Sequence, residues 1–302
     1  MYKKINMIGF LFILPFFLFF LTFNLYPIIQ TLYLSFTSFD GYQDPQFIGI
    51  ENYVNLLKDP FFWKAFANTW IIWLPNFLIQ LTIAFLCAVL LTNIRYKVKY
   101  AGLFRAVFYF PNLVTAASMA VLFTVFLDWQ TGALNQLLFG DDKSKYIFWL
   151  GEARNTRFVI SSIQTWMWFG HNMILIMAAI IGIPQSYFEA AEIDGAGPAR
   201  VFFKITIPLI FPILTFLVVT SLIGGLQIFD IPLVMSTGPA LTGKGDPQQA
   251  IITMQVFMYN SGFVYNRMGY SAAVSFVMFA IISIISVIYM KVSQRLMLGD
   301  DK

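Results

Sequence analysis

The chain has 302 residues, of which 59% are hydrophobic, 18% aromatic and 11% charged, with a mean hydropathy of +0.72, whereas an ordinary soluble domain is about one quarter charged. So little polar surface excludes a water-soluble globule and a disordered chain, and a single cysteine, Cys87, excludes a disulfide framework. The net charge of +4 is small and the basic residues are scattered, which gives nucleic-acid binding no support.

A helix needs about 20 mostly apolar residues to cross a bilayer. Six stretches reach that length, at about 7–34, 65–92, 104–127, 158–183, 212–235 and 264–290. They predict an all-α membrane protein with six transmembrane helices in one domain. In hydrocarbon every backbone amide must pair internally, and barrel strands would be about 10 residues of alternating polarity. The first stretch follows Lys3 and Lys4 but is too long for a signal-peptide core and lacks a small-x-small cleavage site, so it is expected to stay attached. Pro15, Pro27, Pro75 and Pro111 fall inside predicted spans and are expected to kink them without ending them. Cys87, in the second span, has no second cysteine with which to form a redox or zinc site. Trp63, Trp129, Tyr146, Trp149 and Tyr270 lie near span ends, where an interfacial aromatic belt is expected. His171, in the fourth span, is the sole histidine. It reads as a neutral packing or hydrogen-bonding residue, and neither a metal site nor a catalytic residue is predicted.

Between the fourth and fifth spans runs a polar loop, 184–211. Pro184 and Ser186 supply helix-start chemistry, and Glu189 and Glu192 are expected in the early turns, where the positive end of the helix dipole favours acids. Gly195 to Pro198 should break this helix, and a second amphipathic helix is expected over about 199–208. Two short helices at an angle suit docking to another protein. They equally suit a hairpin lying on lipid, for which Arg200, Phe202, Phe203 and Lys204 would serve.

In the fifth span, Thr220, Ile223, Gly224 and Gln227 recur at i, i+3, i+4 and i+7, so they share one helix face that Asp230 or Ile231 continues. Side-chain hydrogen-bond partners of this kind could line a path for a polar solute, or they could join helices, with Gly224-Gly225 as a close-packing notch. Asp230 is the one carboxylate placed within a span, and it reads either as a functional group or as a paired residue near the outer boundary. The following segment, Gly238-Pro-Ala-Leu-Thr-Gly243-Lys244-Gly245, nearly fits a phosphate-binding loop. It lacks the final hydroxyl residue and a preceding strand, so no nucleotide site is expected.

With six spans both termini share one side. Eleven of the nineteen basic residues, among them Lys3, Lys4, Arg95, Lys97, Lys99, Arg105, Arg200, Lys204 and Lys302, fall on that side in about 60 non-membrane residues, against eight in about 90 on the other. The positive-inside rule therefore places both termini in the cytoplasm.

The loop also carries a motif. Glu189-Ala190-Ala191, three residues, Gly195, nine residues and Ile205-Thr206-Ile207-Pro208 match the loop signature of ABC importer permeases, with Ile207 in place of the usual Leu. Further traces run along nearly the whole chain: Ile50-Glu51-Asn52-Tyr53, Asp59-Pro60-Phe61-Phe62-Trp63, Asn68-Thr69, Phe104-Arg105, Phe110-Pro111, Gly182-Ile183-Pro184, Ile228-Phe229-Asp230, Thr237-Gly238-Pro239 and Gly269-Tyr270-Ser271-Ala272-Ala273. The chain thus resembles the carbohydrate-uptake branch of these permeases. That resemblance implies the binding-protein-dependent (type I) importer fold in a prokaryotic cell membrane. It also implies a second, unlike permease subunit, two ATPase subunits carrying ATP and magnesium, an extracellular solute-binding protein, and alternating access for a sugar or oligosaccharide. No cofactor is expected on this chain. By resemblance Glu189, Ala190, Ala191, Asp194, Gly195, Ile205 and Pro208 couple it to the ATPase. Glu189 would meet a basic residue there, the alanines would allow close approach, and Gly195 would allow the turn. The sugar-facing surface is placed on the fifth span and on the fourth, at Gly170 and Met173 with Trp166 and Asn172 nearby. A glycerol phosphate or polyol permease is the nearest alternative. A lipid-linked sugar transferase would need clustered acids or a metal site, and a proton-coupled carrier would need several ionisable residues in its spans.

Overall fold

The computed structural model describes residues 7–92, 98–237 and 249–298. Lys3, Lys4, Arg95, Lys97, Lys302 and the phosphate-loop-like stretch 238–245 lie outside the described residues. Among the described residues regular structure is helical, apart from one antiparallel bridge between Thr37 and Phe47.

Helix α1 (Met7–Phe20) continues through a π turn at Leu21–Leu25 into α2 (Tyr26–Ser35). Tyr26 N–H reaches back to Leu21 O in the wide register, and Pro27 takes the first turn of α2, where its missing N–H is least costly. The apolar window within Phe10–Ser35 has none of its residues buried in the chain's own core. After α3 (Glu51–Lys58), α4 (Pro60–Leu91) runs 32 residues, with Pro75 inside it.

The third apolar stretch differs from the single span expected at 104–127. It is two helices, α5 (Ala101–Leu113) and α6 (Ala116–Phe126), bent by 92° at their junction. The cause is local. Val114 is extended, and Thr115 caps α6, its side-chain oxygen accepting Ser118 N–H at 3.3 Å. A short α7 (Ala133–Phe139) precedes α8 (Ala153–Ile181), which is bent by 63° relative to α9 (Gln185–Ile193). Then come α10 (Pro198–Val201), a π turn at Phe202–Thr206, α11 (Ile207–Leu226) and α12 (Asp230–Thr237). The chain closes with α13 (Met254–Tyr259), a π turn at Asn260–Val264, and α14 (Met268–Leu298). Among the described residues four helical runs are long and apolar enough to cross a membrane, or up to six if each bent pair counts as one span.

The chain divides into two compact units. The first comprises the residues up to Trp63 together with Phe257–Ile281. Here Asn52 donates to Ser35 O at 2.9 Å and Thr37 O at 2.8 Å, and the Ser35 and Tyr53 hydroxyls share a 2.7 Å bond. Backbone N–H groups of Tyr42 and Gln43 reach Asp40 Oδ1 at 2.9 Å each, and these bonds, Gln43's foremost, hold the Asp40 carboxyl below the usual carboxylate range. A Cβ on Gly269 would stand 2.1 Å from Thr37 O, so only glycine allows this approach. That approach seats Tyr270 inward, which corrects its assignment to an interfacial belt. Tyr270 is buried, donates to Asp59 Oδ2 at 2.8 Å, and carries the Arg267 guanidinium 4.1 Å from its ring centre.

The second unit comprises Lys64–Val256 and the residues from Ile282 onward. Its core joins α4, α8 and α11 through Ala84, Ala88, Met173, Ile176, Met177, Ile210 and Leu217. Alanines on α4 let the larger side chains of α8 and α11 fill the space between backbones, as membrane helix packing favours. α5 lies along α8, and α6 against α12. A polar staple ties distant segments together. Buried Asn68 donates to Gln249 O at 2.7 Å and Ile252 O at 2.9 Å, and its Oδ1 accepts from Arg157 Nη2 at 2.7 Å. Asn68→Ala removes three hydrogen bonds, so a stability loss of about 2–4 kcal/mol is expected. Thermal unfolding in detergent, followed by the retained monodisperse fraction, measures it, and an unchanged midpoint would remove the staple from the account.

Candidate functional site

Two features of the second unit carry chemistry. The first is the loop between α8 and α11. α9 begins at Gln185 behind Pro184 and has no acid in its first turn. Glu189 sits mid-helix and Glu192 in the last turn, which corrects the expectation that both acids lie early. The exit from α9 is a Schellman turn: Gly195 N–H donates to Glu192 O at 3.1 Å and Ala196 N–H to Ala191 O at 2.9 Å. Gly195 adopts φ +68°, while a Cβ there would meet nothing within 4 Å. Conformation, and not space, therefore demands glycine at this position.

The second helix of the loop is not the free-standing 199–208 element expected. α10 passes through the π turn directly into α11. Ile207 N–H bonds to Phe202 O in the π register, and Pro208, with no N–H to offer, takes the first turn of α11 where none is needed. The loop is thus joined rigidly to the membrane helix that follows it. Ala191 is buried, whereas Glu189, Ala190, Asp194 and Gly195 are exposed. A cleft of about 590 Å³ between the two arms is lined by Ala190, Ala191, Asp194 and Ile205, with Arg200 and Lys204 at its edge.

The second feature is a cavity of about 410 Å³ among α4, α8, α11 and α12, within the usual range of about 300–1,000 Å³ for small-molecule sites. It exists because the helix breaks: α11 ends at Leu226, Gln227 N–H closes a turn onto Gly224 O at 3.2 Å, and α12 starts only at Asp230. Irregular backbone at membrane depth is stable where it lines a cavity. Thr253 Oγ1 satisfies one freed carbonyl, that of Ile228, at 2.7 Å.

Of the nine pathway residues expected from sequence, Asn172, Thr220, Gly224, Gln227 and Asp230 line this cavity. Trp166, Gly170, Met173 and Ile223 do not. Met173 is fully buried in the core, and Trp166 stacks edge-on to Phe123 with ring centres 5.8 Å apart. Ile223 is exposed away from the lining. A Cβ on Gly170 would lie 1.9 Å from Phe108 O, so this glycine seats α8 directly on α5. The glycine pair divides its work: Gly225 receives the Trp73 indole, 1.7 Å from where a Cβ would be, while Gly224 faces open space in the cavity.

Sequence reasoning missed the α4 wall. Trp73, Asn76 and Gln80 recur at i, i+3 and i+7, a helix-face spacing of the same kind as that noted in the fifth span. Trp73 Nε1 donates to Ser221 O at 2.9 Å, Gln80 Nε2 to Ser221 Oγ at 3.3 Å, and Thr165 Oγ1 to Asn76 Oδ1 at 3.2 Å. Gln80 is 3% exposed, and its Oε1 has no partner among the described residues. His171 also lines the cavity, its ring edge-on to Trp168 at 5.8 Å. No group of three His, Cys, Asp or Glu side chains that could hold a metal occurs among the described residues. The cavity thus offers amide, hydroxyl and carboxylate groups beside the indoles of Trp73 and Trp168, the kinds of partner a sugar's hydroxyls and ring C–H groups require.

Residues 80–298 match the family model for the binding-protein-dependent transport system inner membrane component. The chain is 33% identical over 286 residues to the lactose transport system permease protein LacF of Rhizobium radiobacter, covering 94% of this chain and 93% of that one. It is 30% identical over 292 residues to the probable ABC transporter permease protein YesP of Bacillus subtilis, covering 96% and 92%. The arabinooligosaccharides transport system permease protein AraP of Bacillus subtilis is 29% identical over 286 residues, with 94% and 88% covered. In fold it is similar to a chain in the crystal structure of a bacterial ABC transporter involved in the import of the acidic polysaccharide alginate. The TM-score is 0.81 at 22% identity, with 97% and 96% of the two chains covered.

Proposed function

The chain belongs to the binding-protein-dependent transport system inner membrane component family, and from that premise we propose that it is the permease subunit of an ATP-driven importer of a sugar or oligosaccharide. The proposal extends to its surroundings: a second permease, two ATPase subunits that bind ATP and magnesium, and an extracellular protein that delivers the sugar. Both termini face the cytoplasm of a prokaryotic cell in this reading. The observation that carries it is the pairing, within one compact unit, of a polar and aromatic cavity with a loop fused end to end to a helix of its wall. ATP-driven movement at Glu189, Ala190, Ala191, Asp194 and Gly195 would pass through Ile205 and Pro208 into α11, and so to Thr220, Gly224 and Gln227. Such a rigid element moving one wall of a central site is the physical requirement of alternating access. The names of the similar proteins span neutral sugars and an acidic polysaccharide, and in this reading the cavity's own side chains choose between them.

Purification of the tagged subunit from native membranes in mild detergent, with mass spectrometry of co-purifying chains and an ATPase assay, tests the assignment. A second permease and an ATPase should co-purify, and a sugar-loaded binding protein should raise ATP turnover several-fold. Recovery of the chain alone, stable and without nucleotide-dependent partners, would overturn the assignment.

A further inference from the structure

The cavity contains an acceptor without a donor. Gln80 is almost wholly buried, its Nε2 is committed to Ser221, and its Oε1 has no partner among the described residues. A buried acceptor left unmet is costly, so a donor from a bound molecule is favoured there. A second acceptor lines the same space: the Asp230 carboxylate, in the first turn of α12, with no hydrogen bond or ion pair to a described residue. Among the described residues no lysine or arginine lines the cavity, and His171 is the one other titratable lining side chain. The Asp230 side chain is exposed to that space, and a fixed negative charge there, with no cation among the described lining residues, repels a second negative charge. A neutral sugar meets no such penalty and brings hydroxyl donors that both acceptors lack.

Resting on the reading of this cavity as the sugar path, we infer that it selects cargo by charge, accepting uncharged sugar units that donate hydroxyl hydrogens to Gln80 Oε1 and the Asp230 carboxylate and rejecting sugars that carry carboxylates. Asp230 is then the specificity-determining residue, and Gln80 positions the sugar without discriminating charge.

The test uses the importer purified with its partner subunits, carrying Cys87→Ser and Thr220→Cys so that the one thiol of this subunit lines the cavity, and modification is read on this subunit alone. At pH 8, modification by a trimethylammonium methanethiosulfonate is compared with that by the sulfonate reagent of similar size. Each rate is divided by the reagent's rate with a small free thiol. The cationic reagent should react about tenfold faster, and Asp230→Asn should bring the ratio to within about twofold of unity. Millimolar lactose, raffinose or arabinotriose should slow modification while trigalacturonate does not, and Gln80→Met should weaken the neutral-sugar protection about tenfold with the charge ratio unchanged. A ratio near unity in the parent, a ratio unmoved by Asp230→Asn, or equal protection by trigalacturonate would overturn charge selection. Should the charge ratio hold while no glycan of either kind protects, the cavity is not the sugar path, and both the functional reading and the selection built on it fall.

Discussion

Gly170→Val should leave almost no folded subunit to isolate. The Cβ position at Gly170 lies 1.9 Å from Phe108 O and 2.5 Å from Phe108 C, so the obstacle is backbone and cannot rotate aside. α5 lies along α8, and the Phe108 and Phe169 rings meet at a tilt with centres 5.6 Å apart. Adding three carbons there must push one helix off the other. Overpacking of ordinary cores costs about 1–3 kcal/mol, and a backbone obstacle puts this case at or above that upper figure, a large share of the total stability of most domains. The matched control is Gly224→Val, on the cavity side of α11, where a Cβ meets nothing within 4 Å. Retained monodisperse protein after a temperature series measures both variants. Gly224→Val should melt within a few degrees of the parent, and a Gly170→Val protein that did the same would show that α5 and α8 do not touch there.

Glu189→Lys should produce the opposite phenotype, a well-folded subunit that does not transmit. Glu189 is exposed on α9, and no hydrogen bond or ion pair to a described residue holds it, so reversing its charge costs the fold little. If it meets a basic residue of the ATPase, as proposed, reversal replaces attraction by repulsion across a partly desolvated contact. Close interfacial charge pairs couple by about 1.5–7 kcal/mol, so binding-protein-stimulated ATP turnover should fall at least about tenfold. Membrane level and melting temperature should stay at parental values. Full stimulation in Glu189→Lys would exclude the residue from coupling. Gly195→Ala separates shape from charge: φ +68° imposes a cost of about 1–2 kcal/mol on any side chain, so a partial loss is expected without charge reversal.

These two sites show what a sequence exposes and what it conceals. The loop was legible because its information is local: Pro184 starts a helix, Gly195 ends it, and the motif fixes the spacing between them. Half of the cavity was legible for a similar reason, since Thr220, Gly224 and Gln227 mark one face of one helix. Its α4 wall carries the same periodicity, yet Asn76 and Gln80 become site residues only because Ser221 and Thr165 stand opposite, 141 and 89 residues away. The role of Gly170 was hidden altogether, because a glycine reports that something lies close and not what. The junction at Val114-Thr115 was missed because an apolar run satisfies a hydropathy criterion however sharply it turns. The Thr115 cap, with Ser118 three residues on, was the available sign. At Pro208 the opposite error arose, since proline read as an ending stands where a π turn hands the helix on.

The bare circumference of α1 and α2 has a mechanical meaning. The apolar run Phe10–Ser35 spans 26 helical residues, about 39 Å at 1.5 Å per residue, against a hydrocarbon slab about 30 Å thick. With its apolar window unburied among the described residues and only its Ser35 end held, by Asn52 and Tyr53, the tilt of the run answers to what surrounds it, and each ångström of change in bilayer thickness costs a fraction of a kcal/mol until the helix leans to match. In a thin membrane the first helix should lie further over than in a thick one, while the interlocked α4, α8 and α11 hold their packing. The N-terminal segment is therefore the part of this molecule whose orientation is set by lipid composition.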